Sequence, residues 1–385
     1  MSIAIVAGAL ANKPGNAGEA WVRLSWIFGL RRLGFDVWFA EQIEPASCRD
    51  RRGAPAPLER SVNLDWFERV VTRFGLRGRA ALVTAAGRSR AGVALAELED
   101  AASRCALLVN TSGNLTLEPL LSLPRARAYL DLDPGYTQAW QRSGALGRLI
   151  ARHEHLLTVG LCVDRPGWPI PTGGARWRAV PPPVVLADWP ACAGSARRPF
   201  TTVASWRGAY GRLEHGGRLH GQKAHEFRRL ADLPRHCAAT FEVALAIDGA
   251  DLADAELLQQ GGWRLADPRA AAGDPDAFRG YVQRSAGELS AAQGVYVETR
   301  SGWFSDRTTR YLASGRPAVV QDTGWSAEIP NGEGLIAFRT PSEAAAGVAA
   351  VLADYDRHAR AARALAEERF SADVVLGGLL EDLLP

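Results

Sequence analysis

Cysteine is scarce and scattered in this chain of 385 residues: Cys48, Cys105, Cys162, Cys192 and Cys237 stand far apart, with no C-x-x-C pair and no histidine at metal-ligand spacing. The five read as free thiols of a reducing compartment, and neither a disulfide framework nor a bound metal is expected. Long apolar runs are missing too. The opening MSIAIVAGAL has no basic region before its apolar stretch, which is too short to span a bilayer. A cytoplasmic location without an integral membrane segment is therefore expected. Charge of one sign is equally lacking: 45 Lys and Arg face 42 Asp and Glu, a net +3, with no basic run long enough to track phosphates. That balance argues against nucleic acid as a partner. The glycine-rich stretch 8–19 is spaced too widely for G-x-G-x-x-G, which argues against a dinucleotide cofactor. No repeat of solenoid length occurs.

What is present is an ordinary globular composition, 47% apolar and 23% charged, at a length that usually exceeds one hydrophobic core. Apolar runs at 3–6, 36–40, 106–110 and 128–133 alternate with helical spacing, first at 17–33, where Trp21, Leu24, Ile27, Phe28 and Leu30 recur. The same alternation resumes with strands at 200–205, 241–247 and 263–265 and helices at 224–231, 251–260 and 274–288. A stiff Pro- and small-residue stretch near 186–198 separates the two series. The expected architecture is α/β, two Rossmann-like doubly wound domains facing a cleft. Residues 1–187 form the first and 198–370 the second, and 371–385 form a helix that packs back on the first.

The stretch from Gly294 to Gly324 organises the second series. It reads as a strand at 295–297, a polar turn, a helix and a strand at 318–320. Ser305 caps the helix start, with Asp306 in the first turn, and Gly315 before Pro317 marks its end. A helix start at the carboxyl edge of a parallel sheet presents N–H donors and a positive dipole end, a seat for a diphosphate. Ser301, Gly302, Ser305 and Thr308 would supply donors there, Asp306 and Arg307 would reach sugar hydroxyls, and Asp322 faces the same edge. The alternative for Asp306 is dipole compensation alone.

The run Ala313-Ser314-Gly315-Arg316-Pro317-Ala318-Val319-Val320-Gln321-Asp322-Thr323-Gly324 resembles the carboxyl-terminal half of GT-B glycosyltransferases. Where retaining members carry two glutamates eight positions apart, this chain has Gly302 and Arg310. The resemblance implies a transferase that uses a nucleoside-diphosphate sugar as co-substrate, with no further cofactor, and an acceptor of unknown identity. It implies that Arg207 and Lys223 grip the donor diphosphate, with Arg212 or Arg218 as competitors in the same loop, that Leu265 lies where the base is received, and that the loop bearing Asn16, Gly18 and Glu19 helps hold the acceptor. Two such cations would neutralise the leaving group when no metal does so.

For the general base, Asp131 and Asp133 come first, because i and i+2 on a strand share a face and both lie at a carboxyl end. Asp before Pro134-Gly135 is also common turn chemistry. His155, beside His153, is the second choice, since imidazole needs little tuning near neutral pH. Two other readings of the fold stand beside transfer. A sugar-nucleotide epimerase would need a carboxylate and a histidine near the donor sugar, and a degenerate member would bind a glycan or partner without turnover.

Overall fold

A computed structural model of the protein describes residues 1–384. The first eight strands are β1 (Ile3–Ala7), β2 (Asp36–Ile43), β3 (Ala80–Thr84), β4 (Ser89–Gly92), β5 (Cys105–Thr111), β6 (Ala126–Asp131), β7 (His155–Thr158) and β8 (Trp177–Ala179). They form one sheet in the order β4-β3-β2-β1-β5-β6-β7-β8, parallel throughout except at the β3/β4 edge. The remaining strands are β9 (Phe200–Ser205), β10 (Leu213–His215), β11 (Arg218–His220), β12 (Phe241–Ala246), β13 (Arg264–Ala266), β14 (Gly287–Ser290), β15 (Ala318–Gln321) and β16 (Leu335–Phe338). Six of them make an all-parallel sheet, β13-β12-β9-β14-β15-β16, while β10 and β11 pair as a separate hairpin.

Both sheets are doubly wound. Strand order reverses between β1 and β5 in the first and between β9 and β14 in the second. A crevice opens outside the carboxyl ends of the strands at such a reversal. The central strands are buried on both faces, as β1, β3 and β15 show residue by residue, because helices cover each side of a parallel sheet.

The lobes built on the two sheets are packed together. One apolar cluster runs from Val6 and Leu107 through Trp21, Trp189 and Phe278 to Phe304 and Val320. The Trp21 indole donates to the Pro275 carbonyl at 3.0 Å. Helix Ala372–Leu383 lies against helix Ala17–Arg32, so closely at Gly29 that a Cβ there would sit 2.5 Å from Leu376 Cδ1.

Two expectations about elements are corrected. Residues 294–299 are helical, with Val295 and Tyr296 buried between the lobes, and the strand ahead of helix Asp306–Ala313 is β14. Helix Pro275–Gln283 accordingly stops short of it. Glu288 is the reason: a carboxylate in a four-residue buried strand disguises it as helix, while its partner Arg307 lies far along the chain. The capping of the following helix is as expected, with the Ser305 hydroxyl accepting from the Arg307 N–H and Gly315 in the left-handed region at φ +68°.

Candidate functional site

A cavity of about 400 Å³ lies between the carboxyl edges of the two sheets. On the first-lobe side it is lined by the start of helix Ala17–Arg32, by Leu132 and Asp133 after β6, by Val159 after β7 and by Val180–Pro183 after β8. On the second-lobe side stand the end of β9 (Val203 to Ser205), Ala246 after β12, Pro268, Lys223, and Asp306, Arg307 and Arg310 of helix Asp306–Ala313.

The first wall is built from below by buried acids. The Glu41 carboxylate accepts from the Ala11 and Asn12 N–H groups at 2.7 and 2.8 Å, which shapes the loop after β1. Its burial pushes it up to about 7. At the end of that loop Asn16 caps the helix by accepting from the Glu19 N–H, so Asn16, Gly18 and Glu19 all reach the cavity. Asp131 ends β6 and is fully engaged: it accepts from the Asp133 N–H, the Thr137 and Thr158 hydroxyls and the Gln138 amide, at 2.6 to 3.0 Å. It holds the turn that carries Asp133 outward.

Asp133 is half-buried and faces the cavity. Burial, then repulsion from Asp131, raises its carboxyl to about 6 against the opposing pull of the Tyr296 hydroxyl bond. A carboxyl raised into this range is the kind of group that can serve as a general base near neutral pH.

The second wall is cationic. Arg307 is locked, with Nε on Glu288 at 2.7 Å, one terminal nitrogen on the Val203 carbonyl at 2.8 Å and the other on the Ser290 hydroxyl at 2.6 Å. Burial works against its charge, but Glu288 overcomes that and holds it above the ordinary value. Arg310 pairs with Asp306 one turn back and lies 5.8 Å from the Trp189 ring centre, its buried Nε without a hydrogen bond. Lys223 opens helix Lys223–Arg228, its N–H bonded to the Gln293 amide oxygen at 2.7 Å. Among the described residues its ammonium has no hydrogen-bond or ion-pair partner. Burial, with Arg307 nearby, depresses it to about 7.

The structure thus brings together Asn16, Gly18, Glu19, Asp133, Lys223, Asp306 and Arg307. It does not bring in the others, and each has a physical reason. Asp131 is saturated, as above. His155 opens β7 at the amino end, the wrong edge of a parallel sheet. Arg207 is pulled outward into a bidentate pair with Asp251, both contacts at 2.6 Å, and its side chain is 55% exposed. Leu265 packs into the apolar cluster of the second lobe. Ser301 and Gly302 join the lobes instead: their carbonyls accept from the Cys162 and Leu161 N–H groups at 3.1 Å. Ser305 spends its hydroxyl on its helix cap, and Thr308 is buried beside Gln321 and Trp325. Asp322 is consumed by the Gly324 and Ser326 N–H groups and by Arg339.

Sequence reasoning missed Tyr296 and Tyr210, whose hydroxyls reach Asp133, and the role of Arg310 in the cavity wall. No periodic signal marks a contact made across two lobes. No helix among the described residues is long and apolar enough to cross a membrane.

No protein-family model matches the chain, and no curated protein matches it by sequence. Solved structures do resemble it. An alpha-glucosyltransferase in complex with UDP superposes with a TM-score of 0.58 at 11% identity, over 100% of both chains. The Anabaena protein HepE in complex with UDP-glucose gives 0.57 at 13% identity, over 100% of this chain and 99% of that one. Sucrose-phosphate synthase from Thermosynechococcus elongatus gives 0.52 at 10% identity, over 100% and 99%. With its two doubly wound sheets meeting edge to edge around one cavity, the chain has the GT-B fold.

Proposed function

We propose that the protein is a glycosyltransferase that moves a sugar from a nucleoside-diphosphate sugar to a hydroxyl of an acceptor. One observation carries this reading: a single cavity has a carboxylate raised to about 6 on one wall and an unpaired ammonium on the other, each on a different lobe. The diphosphate would lie against Lys223 and the start of helix Asp306–Ala313, where the positive end of the helix dipole favours negative charge. As the bond to the sugar breaks, charge grows on the leaving oxygen, and a protonated Lys223 beside it would stabilise that charge. Arg307, tied to Glu288, keeps Lys223 company without being free to move. Asp133 would take the proton of the acceptor hydroxyl, with Asn16, Gly18 and Glu19 shaping the acceptor side.

That structures of this fold are described with UDP or UDP-glucose bound supports a uridine donor. Among the described residues no histidine lines the cavity, so the carboxylate–histidine pair that an epimerase needs is not seen there. The cation set leads us to propose transfer without a metal, so UDP release from UDP-glucose is expected to survive a chelator.

A thermal-shift panel of nucleotides and sugar nucleotides tests the assignment, since a ligand that binds only the folded state raises the melting temperature as ln(1 + [L]/Kd). UDP and UDP-glucose are expected to stabilise the protein, and Lys223→Ala to reduce the shift at a given ligand concentration. No shift with any nucleoside diphosphate would overturn the reading.

A further inference from the structure

Asp133 is held from the opposite lobe. Its Oδ1 accepts from the Tyr296 hydroxyl at 2.9 Å and its Oδ2 from the Tyr210 hydroxyl at 3.4 Å. Tyr296 lies on helix Gly294–Thr299 and Tyr210 between β9 and β10, so both bonds cross from the second lobe to the first.

Neither phenol swings freely. Tyr296 is 4% exposed, and its ring stacks on Trp303 with centres 4.8 Å apart and planes at 25°. Tyr210 meets the Trp140 ring edge-on at 4.7 Å and lies 5.2 Å from Tyr136, whose hydroxyl donates to the Gly211 carbonyl at 2.8 Å. Burial, then the nearby Asp133 charge, pushes both phenols well above their ordinary range, so they remain donors across the working pH. A carboxylate with one donor on each oxygen is fixed in rotation and keeps a lone pair on each for a further partner.

We propose that Tyr296, seconded by Tyr210, is a positioning residue for Asp133: its hydroxyl aims the carboxylate into the cavity, and the base is complete only while the two lobes are together. This rests on the reading of Asp133 as the general base. Around that carboxylate, burial, Asp131 and Glu19 oppose ionisation, while the Tyr296 bond and Lys13 favour it. Tyr129, Tyr136 and Tyr210, like Tyr296 itself, also feel its charge. Removing one favourable bond moves the balance toward the protonated acid.

The test uses the full chain labelled with 13C at the Asp carboxyls, the resonance missing from Asp133→Asn marking Asp133. Tyr296→Phe keeps the ring on Trp303 and deletes only the hydroxyl. Its Asp133 midpoint is expected to rise by roughly one pH unit, with a smaller rise in Tyr210→Phe. The acid limb of UDP release from UDP-glucose should move up with it, while the UDP thermal shift stays as in the parent. A ring that serves packing alone predicts no movement of either midpoint, and that result overturns the proposal. The carboxyl titration needs no substrate, so an unshifted midpoint counts against the positioning, whereas absent UDP binding and release in the parent count against the function beneath it.

Discussion

The two walls of the cavity are made the same way, and each leaves one side chain under-bonded, of opposite charge. Each is the carboxyl edge of a doubly wound sheet near its reversal of strand order, yet the first presents Asp133 beside a Glu19 paired with Arg23, and the second presents Lys223 beside Arg307 and the Arg310–Asp306 pair. The fold supplies two crevices, and the side chains at the strand ends decide what each does. The first lobe saturates one carboxylate, Asp131, so that its neighbour two residues on can stay only partly satisfied. In the second lobe Arg307 is saturated by Glu288, Ser290 and Val203, and Lys223 is left without a partner. In both lobes a buried, fully bonded group fixes the frame and an under-bonded one beside it is available for chemistry.

Neutralising one wall at a time breaks that symmetry. The largest effect is expected from Asp133→Asn, which should lower the rate of sugar transfer by roughly 10²- to 10⁴-fold, the usual worth of a general base. UDP affinity measured by calorimetry should hardly change. If the variant loses UDP and keeps its rate, the walls have been assigned the wrong way round.

Lys223→Ala comes next. A charge-assisted hydrogen bond lost from a buried site costs about 1.5–3 kcal/mol, or roughly 10- to 100-fold in UDP affinity. Helix Lys223–Arg228 should survive, because alanine suits a helix and the bond from residue 223 to Gln293 uses the backbone.

A pH series sharpens the same contrast. In the free protein Lys223 is depressed to about 7 and so is largely neutral at pH 8. A diphosphate beside it raises that value, so binding takes up a proton at pH 8, and affinity is greatest below pH 7 and declines as pH rises through the bound-state value. Calorimetry in two buffers of different ionisation enthalpy reads the uptake, which Lys223→Ala should abolish.

The smallest effect is reserved for Arg207→Ala. Arg207 is engaged by Asp251 and does not line the cavity, so UDP affinity should stay within roughly 2-fold.

Much of the frame was legible from residues alone, and the reasons are local. The apolar run 106–109 inside Cys105–Thr111, too short for a helix and bounded by polar residues, reads as a buried strand, and the Ser305 and Gly315 punctuation bounds its helix without tertiary help. The strand β14 was not legible because its Glu288 is neutralised by Arg307, far away in sequence. The Asp131–Asp133 pair shows the limit of period-two reasoning. The strand stops at Asp131, so the next turn carries Asp133 to the cavity while Asp131 turns into the protein. Arg207 and Lys223 looked equivalent as loop cations after β9. Only the fold shows that Asp251 claims the one and leaves the other facing the cavity. Contacts such as Tyr296 to Asp133, 163 residues apart in sequence, leave no local trace at all.

In a crystal structure of the protein with UDP bound, the diphosphate is expected in the shared cavity, within hydrogen-bond reach of the Lys223 ammonium and against the start of helix Asp306–Ala313, with Asp133 facing it across the gap. A nucleotide seated elsewhere, or a diphosphate held by Arg207 on the outer surface with Lys223 untouched, would contradict that expectation.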